Sequence, residues 1–163
     1  MADIALAVVD GASMASGCLL GNEAFSLSLG TPRAGSLIGT WSYTNSTFNF
    51  LNGRNIVSLD PSFSYGYLQS YHPNGRDRVM MPFPCYGGTI PSQGGASGGP
   101  VADVATGKIF AINCTGFSGT DISYYTSLLC SLPLSVSDVE IMGKYHNEIT
   151  VAELAELGCV NIS

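Results

Sequence analysis

Apolar positions in this chain come in short runs separated by turn residues, not at the three-to-four spacing of a helix. Runs rich in β-branched and aromatic side chains occupy 4–9, 36–43, 55–59, 65–71, 108–114 and 124–129, and short runs at such intervals predict the strands of an all-β antiparallel barrel or sandwich. The segments between them carry turn chemistry: "LNGR", "HPNG" and "ATGK" place Asn or Thr before a Gly that can take positive φ. "ATGK" is expected to close a hairpin. One stretch alone has the marks of a helix. Thr150 and Glu153 form a capping-box pattern, Val151, Leu154 and Ala155 share a face, and Gly158 can end the element, so a single C-terminal helix of about two turns is expected.

Composition narrows the partners. With 163 residues the chain has room for one core of ordinary size, and no linker or low-complexity tract divides it. It is therefore read as one domain spanning 1–163. A formal charge of −6 with only six Lys and Arg leaves no basic stripe for phosphates, which argues against nucleic acid. No apolar run approaches the roughly 20 residues of a membrane-spanning helix, so no membrane partner is expected for the chain as given. The five cysteines are odd in number and show no C-x-x-C pair, so neither a metal nor another cofactor is called for. N-x-S/T sequons occur at Asn45, Asn113 and Asn161.

Chemistry concentrates in "SQGGASGGP". A nucleophilic serine needs an exposed hydroxyl, a base beside it, and backbone N–H donors for the oxyanion that forms on the attacked carbonyl. Glycines around Ser97 allow such a loop, with the Gly95 and Ser97 N–H groups as oxyanion donors and Pro100 leading into a strand. A plain Gly/Ser turn has the same letters. So does the G-x-S-x-G elbow of an α/β-hydrolase, but that motif requires a helix after the serine, whereas Gly99-Pro100-Val101 leads toward a strand.

The residues C-terminal to the motif separate these readings: a strand start at Val101, a hairpin turn at Thr106-Gly107, the strand "KIFAIN", then Cys114-Thr115-Gly116 and "ISYYTSLL". This order resembles the trypsin-like (chymotrypsin-fold) serine peptidases. A second match is Asp3-Ile4-Ala5-Leu6, similar to the D-I-A-L segment that carries the family's triad aspartate, and Ser97 lies 94 residues beyond Asp3, about the length of the family's second barrel with its linker. The resemblance implies an antiparallel Greek-key barrel, the second of a double barrel, and a serine endopeptidase acting through an acyl-enzyme on polypeptide substrates. It implies Ser97 as nucleophile and Asp3 as the carboxylate that orients a histidine. It further implies a specificity pocket with Pro91 at its base and Cys114, Thr115 and Gly116 as its wall. With no acid at Pro91, a small or medium apolar side chain is expected before the scissile bond, with Asp121 a nearby charge. Ala96 stands where members activated by cleavage carry an aspartate, which implies activity that does not wait for such a cut.

The general-base histidine of the family's A-H-C segment has no counterpart here. His72, in "SYHPNGRD", reads as a turn residue, and His146, in "KYHNEIT", as an exposed residue before the helix. The expectation is an N-terminally truncated peptidase whose missing first barrel packs on this one. As given, the chain is then expected to be inactive. The alternative is a non-catalytic member that keeps its pocket as a peptide-binding or scaffold module.

Overall fold

In the computed structural model the described residues are 4–6, 25–91, 94–117 and 120–163. The core element is a closed antiparallel barrel of six strands: β1 (Leu37–Ser42), β4 (Ser62–His72), β5 (Cys85–Gly88), β6 (Pro100–Asp103), β7 (Ile109–Gly116) and β8 (Ser123–Ser127). Around the barrel the order is β1-β4-β5-β8-β7-β6, with β6 pairing back onto β1. Closure leaves no free sheet edge, and it gathers Ile38, Leu68, Tyr86, Ile90, Val101, Phe110, Ala111 and Tyr125 into one buried cluster. Alternation does the sorting: along β4, Gly66 and Leu68 are buried while Phe63, Tyr65 and Tyr67 face out.

Two ribbons extend from this barrel. β2 (Thr47–Leu51) and β3 (Arg54–Ser58) form a hairpin between β1 and β4, turned at Asn52 (φ 51°) and Gly53 (φ 76°), the paired positive φ of a type I′ turn. β9 (Ser135–Ile141) and β10 (Lys144–Thr150) form the other, and α1 (Val151–Glu156) comes directly after it. The expected capping box is present. Glu153 N–H donates to Thr150 Oγ1 at 3.2 Å, and Thr150 N–H donates to the Glu153 carboxylate at 2.7 Å. Val151 and Leu154 are buried and Ala155 is half-buried, and Gly158 takes φ 75° beyond the end.

The expected strands over 36–43, 55–59, 65–71 and 108–114 correspond to β1, β3, β4 and β7. The run 124–129 splits at Ser127, whose side chain caps a short 3-10 turn over Leu128–Ser131. The run 4–9 behaves differently: residues 4–6 belong to no strand, and 7–9 lie outside the described residues. The segment around Leu27, outside the named strands, joins the start of β7 and the C-terminus, with Ser28 N–H donating to Ile109 O at 2.7 Å and Leu27 N–H to Asn161 O at 2.8 Å.

Candidate functional site around Ser97

β5 and β6 are consecutive among the barrel strands yet not neighbours in it, because β8 and β7 lie between them. The connection 89–99 must therefore cross the end of the barrel, and Ser97 rides on that crossing. Two backbone hydrogen bonds, Gly98 N–H to Asn113 O and Asn113 N–H to Gly99 O, each 2.8 Å, tie it to β7. Gly99 N–H closes a turn onto Ala96 O at 3.1 Å, with Gly98 at φ 84°, the geometry of a type II turn that favours glycine at its third position. Ala96 points inward at 3 % exposure and Ser97 outward.

The Ser97 hydroxyl donates to the Cys114 carbonyl at 3.2 Å. That carbonyl is available because the β7–β8 register slips between Asn113 and Thr115, which pair with Tyr125 and Tyr124 and leave Cys114 out of the ladder. Gly95 sits at φ 88°. A Cβ there would also approach Thr44 Cα and the Tyr43 carbonyl to 3.2 Å, so both backbone angle and space select glycine. Its carbonyl accepts from Tyr43 N–H at 3.4 Å. Among the described residues neither the Gly95 N–H nor the Ser97 N–H donates a hydrogen bond.

Beside Ser97 lies a cleft of about 510 Å3 whose walls include Phe25, Trp41, Tyr43, Pro61, Gly95 and Pro100. Its lining does not include Pro91 or Cys114–Gly116. Pro91 is bonded to Ile90, which is held inside the barrel: Ser123 Oγ donates to Ile90 O at 2.8 Å, and Ile90 N–H donates to the Tyr125 hydroxyl at 3.3 Å. The Tyr125 and Ser123 hydroxyls also bond to each other. Burial raises the Tyr125 pKa, with the Ser123 and Ile90 hydrogen bonds opposing it, so this phenol stays neutral at physiological pH. Nothing in the sequence marks Ser123 and Tyr125 for this role, because alternation alone does not tell a core hydroxyl from a surface one.

Neither histidine partners Ser97. His72 Nε2 is bonded to Ser70 Oγ at 2.9 Å, at the far end of β4 from the Ser42–Ser62 pair. His146, expected as an exposed residue before the helix, instead lies within β10, partly buried, with Nε2 unpaired among the described residues. Asp3 and Cys18 lie outside the described residues. Cys85, Cys114, Cys130 and Cys159 are free thiols. Burial pushes the Cys85 and Cys130 pKa values up, which keeps both as unreactive thiols. Asn113 is 2 % exposed, so its sequon is inaccessible to a glycan in the folded chain.

No protein-family model matches this chain, and no curated protein matches it. Among solved structures it resembles a catalytically inactive tobacco etch virus protease complexed with substrate, at 15 % identity and a TM-score of 0.33, over 74 % of this chain and 50 % of that one. The chain thus spans half the length of that protease.

Proposed function

We propose that this chain is the serine-bearing barrel of a chymotrypsin-like endopeptidase. The observation that carries the reading is the Ser97 turn: an exposed hydroxyl on a glycine-rich crossing, fastened to β7 through Asn113 and Cys114, with the Gly95 and Ser97 N–H groups free among the described residues. An exposed hydroxyl and unengaged backbone N–H donors are two of the three parts that a serine nucleophile with a backbone oxyanion hole requires, the third being a base. Ser97 attacks the substrate carbonyl, the two N–H groups stabilise the oxyanion, and Asp3 orients the base. Pro91, Cys114, Thr115 and Gly116, which lie outside the walls of the cleft beside Ser97, are the residues proposed to flank the side chain before the scissile bond.

The base itself is a histidine outside residues 1–163, because His72 is engaged elsewhere and His146 lies in the β9–β10 ribbon. A barrel preceding this one, packed against it, is its natural carrier. A serine hydroxyl without a neighbouring base is a poor nucleophile. The 163-residue chain is therefore expected to label slowly with a fluorophosphonate and to cleave peptides little. Adding the coding segment upstream of Met1 is expected to raise both by several orders of magnitude, and Ser97→Ala to abolish both. Failure of the longer protein to label at Ser97 would reject the reading. The second reading, a non-catalytic peptide-binding module, draws on the same histidine positions and predicts peptide binding without labelling in either protein.

A further inference from the structure

From Val57 to Tyr67 every odd position is apolar and every even one is Ser, Asp or Gly. Such alternation marks a strand with one face against a core. In β4, however, the apolar set faces outward: Phe63, Tyr65 and Tyr67 are 48 %, 66 % and 57 % exposed, while Ser62 and Ser64 are half-buried and Gly66 is buried. A slip of one residue would reverse this, but β4 is held in register on both sides, by β1 and β5. Opposite the three aromatics on β1 stand Trp41, Gly39 and Leu37, and directly paired residues share a face. The Phe63 ring lies over Gly39, where a Cβ would collide with it, and against Trp41, itself 45 % exposed, with centroids 4.8 Å apart. The barrel wall here is a flat apolar face. Next to it the outward side chains are covered: Ala102, which pairs with Gly39, clusters with Ile109 and Leu128, and Leu27 and Leu29 pack against them. The β1–β4 face has no such cover among the described residues.

We infer that this face is a dimer interface whose occupant is a second copy of this chain, related by a twofold axis so that the same patch serves both copies. Size favours a copy. At roughly 200 Å2 per aromatic side chain, the exposed fractions of Trp41, Phe63, Tyr65 and Tyr67 amount to about 430 Å2. Homodimer interfaces are roughly 65 % apolar, so these rings with a polar rim make about 650 Å2 per copy. Two copies together bury about 1,300 Å2, within the range of a stable specific interface. Charge points the same way. At −6 the chain repels its own copy, yet residues 36–75 hold only Arg54 and Asp60 of its Lys, Arg, Asp and Glu side chains, and both lie outside β1 and β4. On this wall two copies meet without setting like charges face to face. A basic partner finds no carboxylate there, and an anionic lipid surface finds no cation. Shape agrees, because a flat sheet face packs on another about 10 Å away with strands roughly 30° apart. A barrel docked over Ser97 leaves room for the copy, since Tyr67 stands opposite Leu37, about 16 Å along the wall from the Ser42–Ser62 pair. The dimer does not depend on Ser97 being a nucleophile.

Sedimentation velocity of the 163-residue chain over a dilution series tests this. The parent is expected to pass from monomer to dimer with a Kd in the micromolar range. Tyr65→Glu sets two carboxylates into the interface and is expected to weaken the dimer about a hundredfold or more. Val79→Glu adds the same charge at an exposed loop residue off the face and is expected to leave the dimer unchanged. Tyr67→Lys is expected to repeat the loss, so the comparison stands even if Tyr65→Glu does not fold. A parent that stays monomeric up to about 100 μM overturns the inference, and so does a dimer that Tyr65→Glu and Tyr67→Lys leave intact. Two further outcomes give the face to another occupant and also overturn it. A monomeric chain that floats with phosphatidylcholine vesicles assigns the face to lipid. A monomeric longer protein, begun upstream of Met1, whose Tm falls on Tyr65→Glu assigns it to the preceding barrel. Fluorophosphonate labelling of Ser97 is read separately from oligomeric state, so the peptidase reading and the dimer can each fail without the other.

Discussion

The barrel and the β2–β3 hairpin are built from the same kinds of residue and treat them in opposite ways. In the barrel, Ile38, Val101, Phe110 and Tyr125 are at most 1 % exposed. In the hairpin every position is exposed on both strands, with Phe48 at 67 % and Phe50 at 70 %. The hairpin continues outward from the same two strands, β1 and β4, that pair in the barrel wall. What differs is closure. A sheet that closes on itself gives each inward side chain a partner across the axis, whereas a two-stranded ribbon has no inside. Apolarity makes burial favourable, and topology decides where it happens.

Truncating one phenylalanine from each region tests this contrast most directly, and gives its largest effect in the barrel. Phe110→Ala is expected to cost roughly 3–5 kcal/mol of unfolding free energy, since its ring packs edge-on against Tyr86 with centroids 5.0 Å apart in the closed core. Urea denaturation followed by tyrosine fluorescence measures it. A loss below about 1 kcal/mol, the central value for any point mutant, would mean the barrel is not the cooperative core.

An intermediate effect is expected where the second ribbon joins α1. Thr150→Ala removes the helix cap and is expected to cost about 1 kcal/mol. The same site carries a pH signature. Thr150 N–H and hydroxyl donors hold the Glu153 carboxyl below its usual pKa, with His146 adding a smaller pull. A carboxyl whose folded pKa is depressed contributes stability that is present above its unfolded value, about 4.3, and lost as pH falls through the folded value. Tm of the parent is therefore expected to drop across that acid window. Thr150→Ala is expected to flatten the drop, and an unchanged acid limb would show that the capping box does not operate in solution.

The smallest effect belongs to the hairpin. Phe50→Ser is expected to change stability by less than about 0.5 kcal/mol, as exposed positions usually do. A loss as large as that of Phe110→Ala would show that the hairpin is covered by another part of the protein or by a partner, and would break the contrast at its root.

Much of the scaffold is legible along the chain because its determinants are local. Asn52-Gly53 and Thr106-Gly107 make turns, since tolerance of positive φ is a property of the residue. The Thr150–Glu153 cap is a contact three residues long. Ser97 stands out because a serine among glycines is unusual composition, and its approach to Cys114 is in keeping with the order of strands. The strands β2, β5, β9 and β10 leave no such mark, being short, glycine-bearing or polar, with partners that the local pattern does not name. His146 reads as exposed because nothing near it in sequence shows that β9 pairs beside it. Asn113 is the sharpest case. In sequence it is one residue of "AINCTG", with nothing to mark it except a sequon. Only closure of the barrel puts its amide in the interior opposite Tyr125, where neighbouring hydroxyls have spent their hydrogen bonds on one another. Local backbone preference is written in the sequence. Whether a polar atom has a partner depends on every strand around it, and that is decided by the tertiary structure alone.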